Sequence, residues 1–248
     1  MKPAILTDVT KCTGCNECVR ACKTANRLEA DLPRRWTLDD GLSSQNWCSI
    51  VEGPSKANVR KQCRHCLDPA CASACPVGAL IKTATGPVVY DSGRCMGCRY
   101  CMMACPYGIP RYDWQQAVPY VRKCSMCYER LGEGKQPACT AACPEKATIF
   151  GDRDGLLAEA HARIRAHPGR YVPRVWGETE AGGTSVLYVS NVDLTFLTSG
   201  RDLDAKPLPD TTKLAMRSVP FVFTGVVTGM AALRWVIERR RELGGSHE

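Results

Sequence analysis

Sixteen of the seventeen cysteines in this 248-residue chain fall into four sets of four. The sets are Cys12, Cys15, Cys18 and Cys22; Cys63, Cys66, Cys71 and Cys75; Cys95, Cys98, Cys101 and Cys105; and Cys124, Cys127, Cys139 and Cys143, with Cys48 left over. A C-x-x-C-x-x-C loop lets three thiolates converge on three corners of one cube while the intervening backbone amides point at its sulfides, which is the ligand pattern of a [4Fe-4S] cluster. The fourth cysteine, at the start of a helix, cannot easily reach the same cube. In two-cluster ferredoxins it serves the partner cluster, so such motifs work in pairs. The third set ends in Cys105-Pro106 and matches C-x2-C-x2-C-x3-C-P fully. The first carries Lys23 in place of the proline, the second is stretched to C-x2-C-x4-C-x3-C-P, and the fourth replaces its middle spacer by the loop Tyr128 to Ala138. Loop length varies between sets; ligand number does not.

Other uses of cysteine fit less well. A disulfide framework has no reason to repeat C-x-x-C four times with downstream C-x3-C-P. Structural zinc explains isolated C-x-x-C pairs but neither the triple-cysteine runs nor the cysteine-prolines. A Rieske centre needs histidine ligands, and His65, inside a C-x-x-C loop, reads as a tuning or packing residue. His65, His161, His167 and His247 are too scattered for a triad or zinc site, and no Gly-rich dinucleotide fingerprint is present, so the chain itself is expected to be non-catalytic.

The formal charge of +8 counts every cysteine as neutral. Ligating thiols are deprotonated, and a core of about +2 against four thiolates makes each site about −2, so four sites add about −8. The basic excess is then mostly internal compensation. No basic run with interleaved aromatics occurs, and nucleic acid is excluded as a partner.

Around each motif the pattern reads strand, cysteine loop, short helix. Ala4–Asp8, Ala79–Thr83, Pro87–Asp91, Ala147–Gly151 and Thr184–Asn191 are expected strands, and Asn16–Asn26 an expected helix. The expected class is α+β: two ferredoxin-like [4Fe-4S] modules plus one C-terminal transmembrane helix. Residues 1–62 and 117–150 would hold motifs one and four, with 28–61 inserted as a small subdomain or partner-facing loop, and 63–116 would hold motifs two and three. Residues 151–198 would form a helix–strand cap, its helix opened by Asp152 with Leu156, Leu157, Ala160 and Ile164 on one stripe. Ser199 to Lys213, within 199–218, reads as an extended connector. Without clusters, the stretch from Met1 to about Phe150 should be largely unstructured, since its short segments bury little alone.

Residues 219–237 are apolar except for two threonines, two glycines and Arg234, long enough to span a bilayer with Arg234 snorkelling and Trp235 at the interface. Gly225 and Gly229 form a G-x-x-x-G face suited to packing on another membrane helix. Arg234, Arg239, Arg240 and Arg241 follow the span while Lys213 and Arg217 precede it, so the positive-inside rule puts the C-terminus in the cytoplasm and the cluster domain in the periplasm. No signal peptide precedes Lys2, and Arg34-Arg35 lacks a following apolar region; export would need a signal-bearing partner.

With four such motifs, then Gly-Gly-Thr-Ser-Val-Leu-Tyr-Val at 182–189, then one terminal span, nearly the whole chain resembles the iron–sulfur (beta) subunits of membrane-bound respiratory oxidoreductases. Lys61-Gln62-Cys63-Arg64-His65-Cys66, the stretch Cys95 to Tyr112 and the terminal helix are similar to the hydrogenase-2-type ferredoxin subunit. The lack of a signal sequence is more like the quinone-linked formate dehydrogenase beta subunit. The resemblance implies cross-pairing: one cluster on Cys12, Cys15, Cys18 and Cys143; its neighbour on Cys124, Cys127, Cys139 and Cys22; another on Cys63, Cys66, Cys71 and Cys105; and the last on Cys95, Cys98, Cys101 and Cys75. Some nitrate reductase relatives replace one cysteine of the third motif and hold three irons; with Cys98 present, four [4Fe-4S] clusters are expected. The implied role is an electron-transfer subunit in the bacterial inner membrane, relaying electrons between a catalytic subunit of hydrogenase or formate dehydrogenase type and an integral membrane subunit carrying quinone or haem, with lipid around its span. A soluble polyferredoxin serving several redox partners is the alternative, and a cluster-storage scaffold a third reading; the terminal span speaks against the former and the paired motifs against the latter.

Overall fold

Alternation along the first strand determines how the larger unit is built. The computed structural model describes residues 2–29, 35–36, 40–114, 120–198, 200 and 202–244, in two units, Met1–Leu208 and Pro209–Glu248. The boundary expected at 116/117, the middle of the 28–61 insertion, Ser199 and His247 lie outside the described residues.

In sequence order, β1 (Pro3–Asp8) leads through the first cysteine loop to α1 (Glu17–Asn26). Strands β2 (Arg35–Trp36), β3 (Cys48–Glu52) and β4 (Asn58–Gln62) precede the second loop. Next come α2 (Ala70–Ser73), β5 (Leu80–Lys82), β6 (Val88–Tyr90) and α3 (Tyr100–Ala104) around the second and third motifs. β7 (Arg111–Tyr112), β8 (Val121–Arg122), α4 (Tyr128–Gly132) and α5 (Ala138–Ala141) frame the fourth. The unit closes with β9 (Thr148–Asp152), α6 (Arg153–Ala166) and β10 (Val186–Val189).

β1 is the middle strand of β10-β1-β9, parallel to β10 with Ile5 opposite Val186 and antiparallel to β9 with Ile5 opposite Phe150. Successive strand side chains point to opposite faces. Ala4, Leu6, Leu187 and Val189 therefore pack against Leu156 and Ala160 of α6, while Ile5, Val186 and Tyr188 share a core with Cys18, Cys22 and Cys139. Both faces are covered, which is why Val186–Val189 is a continuous apolar run with every residue 0% exposed. α6 starts where expected: the Asp152 side chain accepts from the Asp154 N–H at 3.2 Å. Leu157 and Ile164 of the expected stripe are half-buried at the edge of the same core.

The expected insertion contributes a sheet ordered β2-β3-β4, with β3 antiparallel to β4 and Ile50 opposite Arg60. Ile50 and Val59 enter the core that holds α1, so this sheet is part of the body, not an appended loop. Asp40 ties it to β7 through ion pairs with Lys61 (2.9 Å) and Arg111.

The extended connector expected over Ser199 to Lys213 is corrected at both ends. Ala181 N–H donates to Asp204 O (2.7 Å) and Gly182 N–H to Ala205 O (3.0 Å), and Arg174 pairs with Asp202 (2.8 Å). The backbone there is held by bonds that its polar composition does not advertise. From Asp210 it is helical: α7 runs Asp210–Gly244, beginning well before Val219 and ending beyond Ile237. Pro209 directly precedes it, and Asp210 in the first turn suits the helix dipole. α7 is long and apolar enough to cross a membrane, and none of its most apolar stretch is buried within its unit. Arg234 pairs with Glu238 one turn on (2.8 Å).

Candidate functional site: four groups of thiols

The motifs fold as two kinds of loop, each used twice. Before the first and third, an aspartate caps a short 3-10 turn: Asp8 accepts from Thr10 N–H and Asp91 from Gly93 N–H. The first cysteine then donates its N–H back to that turn, Cys12 to Val9 O at 3.1 Å and Cys95 to Ser92 O at 3.2 Å. Gly14 (φ +75°) and Gly97 (φ +76°) bend left-handed, as do Asn16 (φ +63°) and Arg99 (φ +67°) immediately before α1 and α3. The left-handed region is uncostly for glycine and tolerable for asparagine; at Arg99 it is strain held by the surrounding structure.

The second and fourth motifs share another loop. Pro69-Ala70-Cys71 and Pro137-Ala138-Cys139 open α2 and α5 alike, with the proline preceding the first helical residue. His65 (φ +49°) and Met126 (φ +56°) occupy the same left-handed place before the second cysteine. Ala79 N–H donates to Cys75 Sγ (3.2 Å), Ile109 N–H to Cys105 Sγ (3.5 Å) and Met126 N–H to Cys124 Sγ (3.3 Å). Donors aimed at sulfur favour the thiolate.

Strand pairing brings first- and second-type motifs together. β1 enters motif one and pairs antiparallel with β9, which leaves motif four. Likewise β6 enters motif three and pairs antiparallel with β5, which leaves motif two. Two cavities result with matching linings. Cys12, Cys15, Cys18 and Cys143 surround one, with Ile50 and Arg60; Cys75, Cys95, Cys98 and Cys101 surround the other, with Tyr90 and Tyr112.

The remaining eight thiols group by mutual repulsion. Burial, then the charges of Cys124, Cys139 and Cys127, push the Cys22 thiol well up. Burial, then Cys63, Cys105 and Cys71, do the same for Cys66. Cys101 is pushed up to about 11 by burial with Cys75, Cys95 and Cys98. Sixteen sequence-selected cysteines are thus brought together as four groups of four, each drawing three from one motif and one from another. Adjacent groups also meet. After burial, Cys63 is the charge that raises Cys124 most, and Cys101 contributes to raising Cys71, which reaches about 12.

In such crowding the thiolate form is unfavourable unless a cation meets its charge. Among the described residues no three His, Cys, Asp or Glu side chains converge closely enough for one metal ion. A tetrahedral zinc site would hold sulfurs about 3.8 Å apart, from a Zn–S bond of about 2.3 Å. Thiols ringing a cavity suit a larger, polynuclear core, and the sulfur-directed amides fit the same group. Among the described residues the histidines do not assemble: His161 pairs with Glu178 (3.0 Å), and His65 is buried, accepting from Val88 N–H at Nδ1 (3.0 Å). The latter is the packing role expected of it.

Cys48 is buried, as a leftover small apolar residue is expected to be, and three other features escaped the sequence reading: its bond to Cys18, and the buried cations Lys123 and Arg60. The hydrogen bond between Cys48 and Cys18 lowers the latter to about 7. Lys123 is buried, donating to Val88 O and to Cys124 O (3.0 Å). Arg60, on β4, is 2% exposed. Burial works against its charge, but the thiolates of Cys139, Cys48 and Cys18 prevail and raise its pKa well up. The charge balance hinted at internal cations without saying which residues they were.

Residues 57–153 match the model of a family described as a 4Fe-4S dicluster domain, so the class of the protein is that of [4Fe-4S] proteins. Hydrogenase-2 operon protein HybA of Escherichia coli O157:H7 is 39% identical over 228 residues, covering 76% of this chain and 70% of its own length. The B subunit of the anaerobic dimethyl sulfoxide reductase of Escherichia coli K12 is 40% identical over 175 residues (64% and 81%). The iron–sulfur subunit of the nitrate-inducible formate dehydrogenase of the same strain is 35% identical over 204 residues (75% and 67%). The protein belongs to this family of iron–sulfur subunits of oxidoreductase complexes, and its role there is electron transfer without catalysis.

Proposed function

We propose that the protein holds four [4Fe-4S] clusters in two ferredoxin-like modules, residues 1–62 with 117–150 and residues 63–116, and passes electrons along them between a catalytic subunit and a membrane subunit carrying quinone or haem. The observation that carries this reading is the grouping of the thiols. Cys12, Cys15, Cys18 and Cys143; Cys22, Cys124, Cys127 and Cys139; Cys63, Cys66, Cys71 and Cys105; and Cys75, Cys95, Cys98 and Cys101 would each hold one cluster. A [4Fe-4S] cubane accepts and releases one electron with little rearrangement. The charge effects of Cys63 on Cys124 and of Cys101 on Cys71 support a linear order, in which the groups follow one another as just named. A line suits conduction between two partners; a storage protein has no need of one.

The names of the relatives support a hydrogenase- or formate dehydrogenase-type catalytic partner. The length and exposure of α7 support a single pass through a bacterial inner membrane, and the arginines after residue 233 support a periplasmic cluster domain with a cytoplasmic C-terminus. Iron and sulfide analysis of the anaerobically purified complex tests the core of this reading. About sixteen irons per chain are expected, four for each of four cubanes; half that number, or stoichiometric zinc, would sink it.

A further inference from the structure

One buried cation adjoins two of the four thiol groups. Arg60 lies on β4, with its backbone O held by the Tyr188 hydroxyl at 2.8 Å. Its side chain lines the cavity of Cys12, Cys15, Cys18 and Cys143. Its charge also acts on Cys22 and Cys127 of the neighbouring group, and Cys139 is the thiolate that acts most strongly on it. One donor, Nη2, has a long contact to Thr7 Oγ1 (3.5 Å). Nε and Nη1 are buried with no hydrogen-bond partner among the described residues. No carboxylate has an ion pair with Arg60 there.

A guanidinium with two unsatisfied donors, sealed from water, is costly unless an anion meets it. Its fork is planar and carries donors on more than one edge, so one residue can serve two acceptors on different sides. A cluster with four thiolates has a net charge of about −2 when oxidised and about −3 when reduced. A fixed buried positive charge stabilises the second state more than the first.

We propose that Arg60 donates to, and electrostatically couples, the two clusters of the Cys12/Cys15/Cys18/Cys143 and Cys22/Cys124/Cys127/Cys139 sites, raising the reduction potential of both. The proposal rests on the cluster reading above. The cations of the other half differ in kind. Arg99 lines the cavity of Cys75, Cys95, Cys98 and Cys101 but stacks over the Tyr112 and Trp114 rings. Lys123 and Lys82, whose charges act on Cys71, Cys105 and Cys66, donate to the carbonyls of Val88, Cys124 and Cys66.

The test is EPR-monitored redox titration of the purified complex with R60M and R60K in this subunit, alongside iron analysis. R60M is expected to disfavour reduction at least tenfold, about 59 mV for one electron, at two of the four clusters, the two that C143S and C22S perturb, leaving the other two at their parental midpoints. R60K keeps the charge but loses the fork, and should move the same two midpoints by less. If R60M takes up no iron, R60K decides. Four parental midpoints in an iron-replete variant, or equal shifts at all four, overturn the proposal. A parent with half the expected iron would instead overturn the cluster reading itself.

Discussion

The Tyr171 hydroxyl donates to Oδ2 of Asp8 at 3.0 Å, joining a loop near the end of the first unit to the residue that opens the first cysteine motif. Arg163 of α6 reaches the same carboxylate (3.2 Å), and Thr10 takes the other oxygen through both N–H and hydroxyl. Asp8 is fully buried, whereas Asp91, its counterpart before the third motif, is only half-buried and pairs with Arg94. One turn geometry is therefore held in two different settings.

Asp8→Ala leaves Arg163 without its inner partner and should cost about 3 to 5 kcal/mol, the scale of breaking a buried pair. Asp91→Ala removes a cap in water and should cost about 1 kcal/mol. Urea unfolding of the two cluster-loaded variants checks the contrast, and equal losses would contradict it.

The thiol grouping predicts non-local damage. Cys143→Ser should perturb the cluster held by Cys12, Cys15 and Cys18 and spare the one on Cys124, Cys127 and Cys139; Cys22→Ser should do the reverse. EPR of the anaerobic proteins distinguishes them, because each substitution changes the signal of a cluster whose other ligands lie in another motif.

Asp40 links the β2-β3-β4 sheet to β7. Burial opposes its charge, but hydrogen bonds from Arg111 and Lys61 outweigh this and hold its pKa below the usual carboxylate range. A carboxyl depressed by folding contributes stability above its unfolded value of about 3.9, and the contribution fades as pH falls through the folded value. Asp40→Asn should therefore lower stability by about 1 to 3 kcal/mol, with a gap to the parent that is constant from pH 8 to 5 and narrows only below about pH 4. Denaturation midpoints followed by tryptophan fluorescence read this directly; a gap that closes at pH 6 would point to another group.

Ending the chain after Leu208 removes α7 and no proposed ligand, since the last is Cys143. The truncated protein should keep its iron and its dye-linked electron transfer while losing membrane attachment and quinone-linked turnover. Fractionation with both assays settles it, and full quinone activity in the soluble fraction would show that the helix is not a docking element. Bulky replacement of Gly225 and Gly229 should weaken helix packing by about 1 to 2 kcal/mol.

Much of the site was legible because ligand chemistry is written in local spacing. C-x-x-C and Cys-Pro locate the loops, and Asp152 marks the start of α6 without tertiary information. The β-strand expected at Thr184–Asn191 also forms, as Val186–Val189, but its parallel partner β1 lies at the opposite end of the sequence, and nothing local encodes that pairing. Arg60 was hidden for a related reason: in Val59-Arg60-Lys61 it looks like one of several surface cations, and it is β4 lying against β3 that turns it inward. The clamp on residues 202–205 is made of backbone bonds, which side-chain composition does not report.

The nesting of the motifs also sets an order of maturation. The proposed ligands of the inner pair of clusters, from Cys63 to Cys105, have all been synthesised before Cys124 leaves the ribosome. The outer pair must wait for Cys143, and its sheet is sealed later still, when β10 arrives beside β1. On the proposed ligation the inner pair can therefore be completed first, and the first cysteines made are among the last to gain a full set. Through the interval between Cys12 and Cys143, Cys12, Cys15 and Cys18 are without their proposed fourth partner.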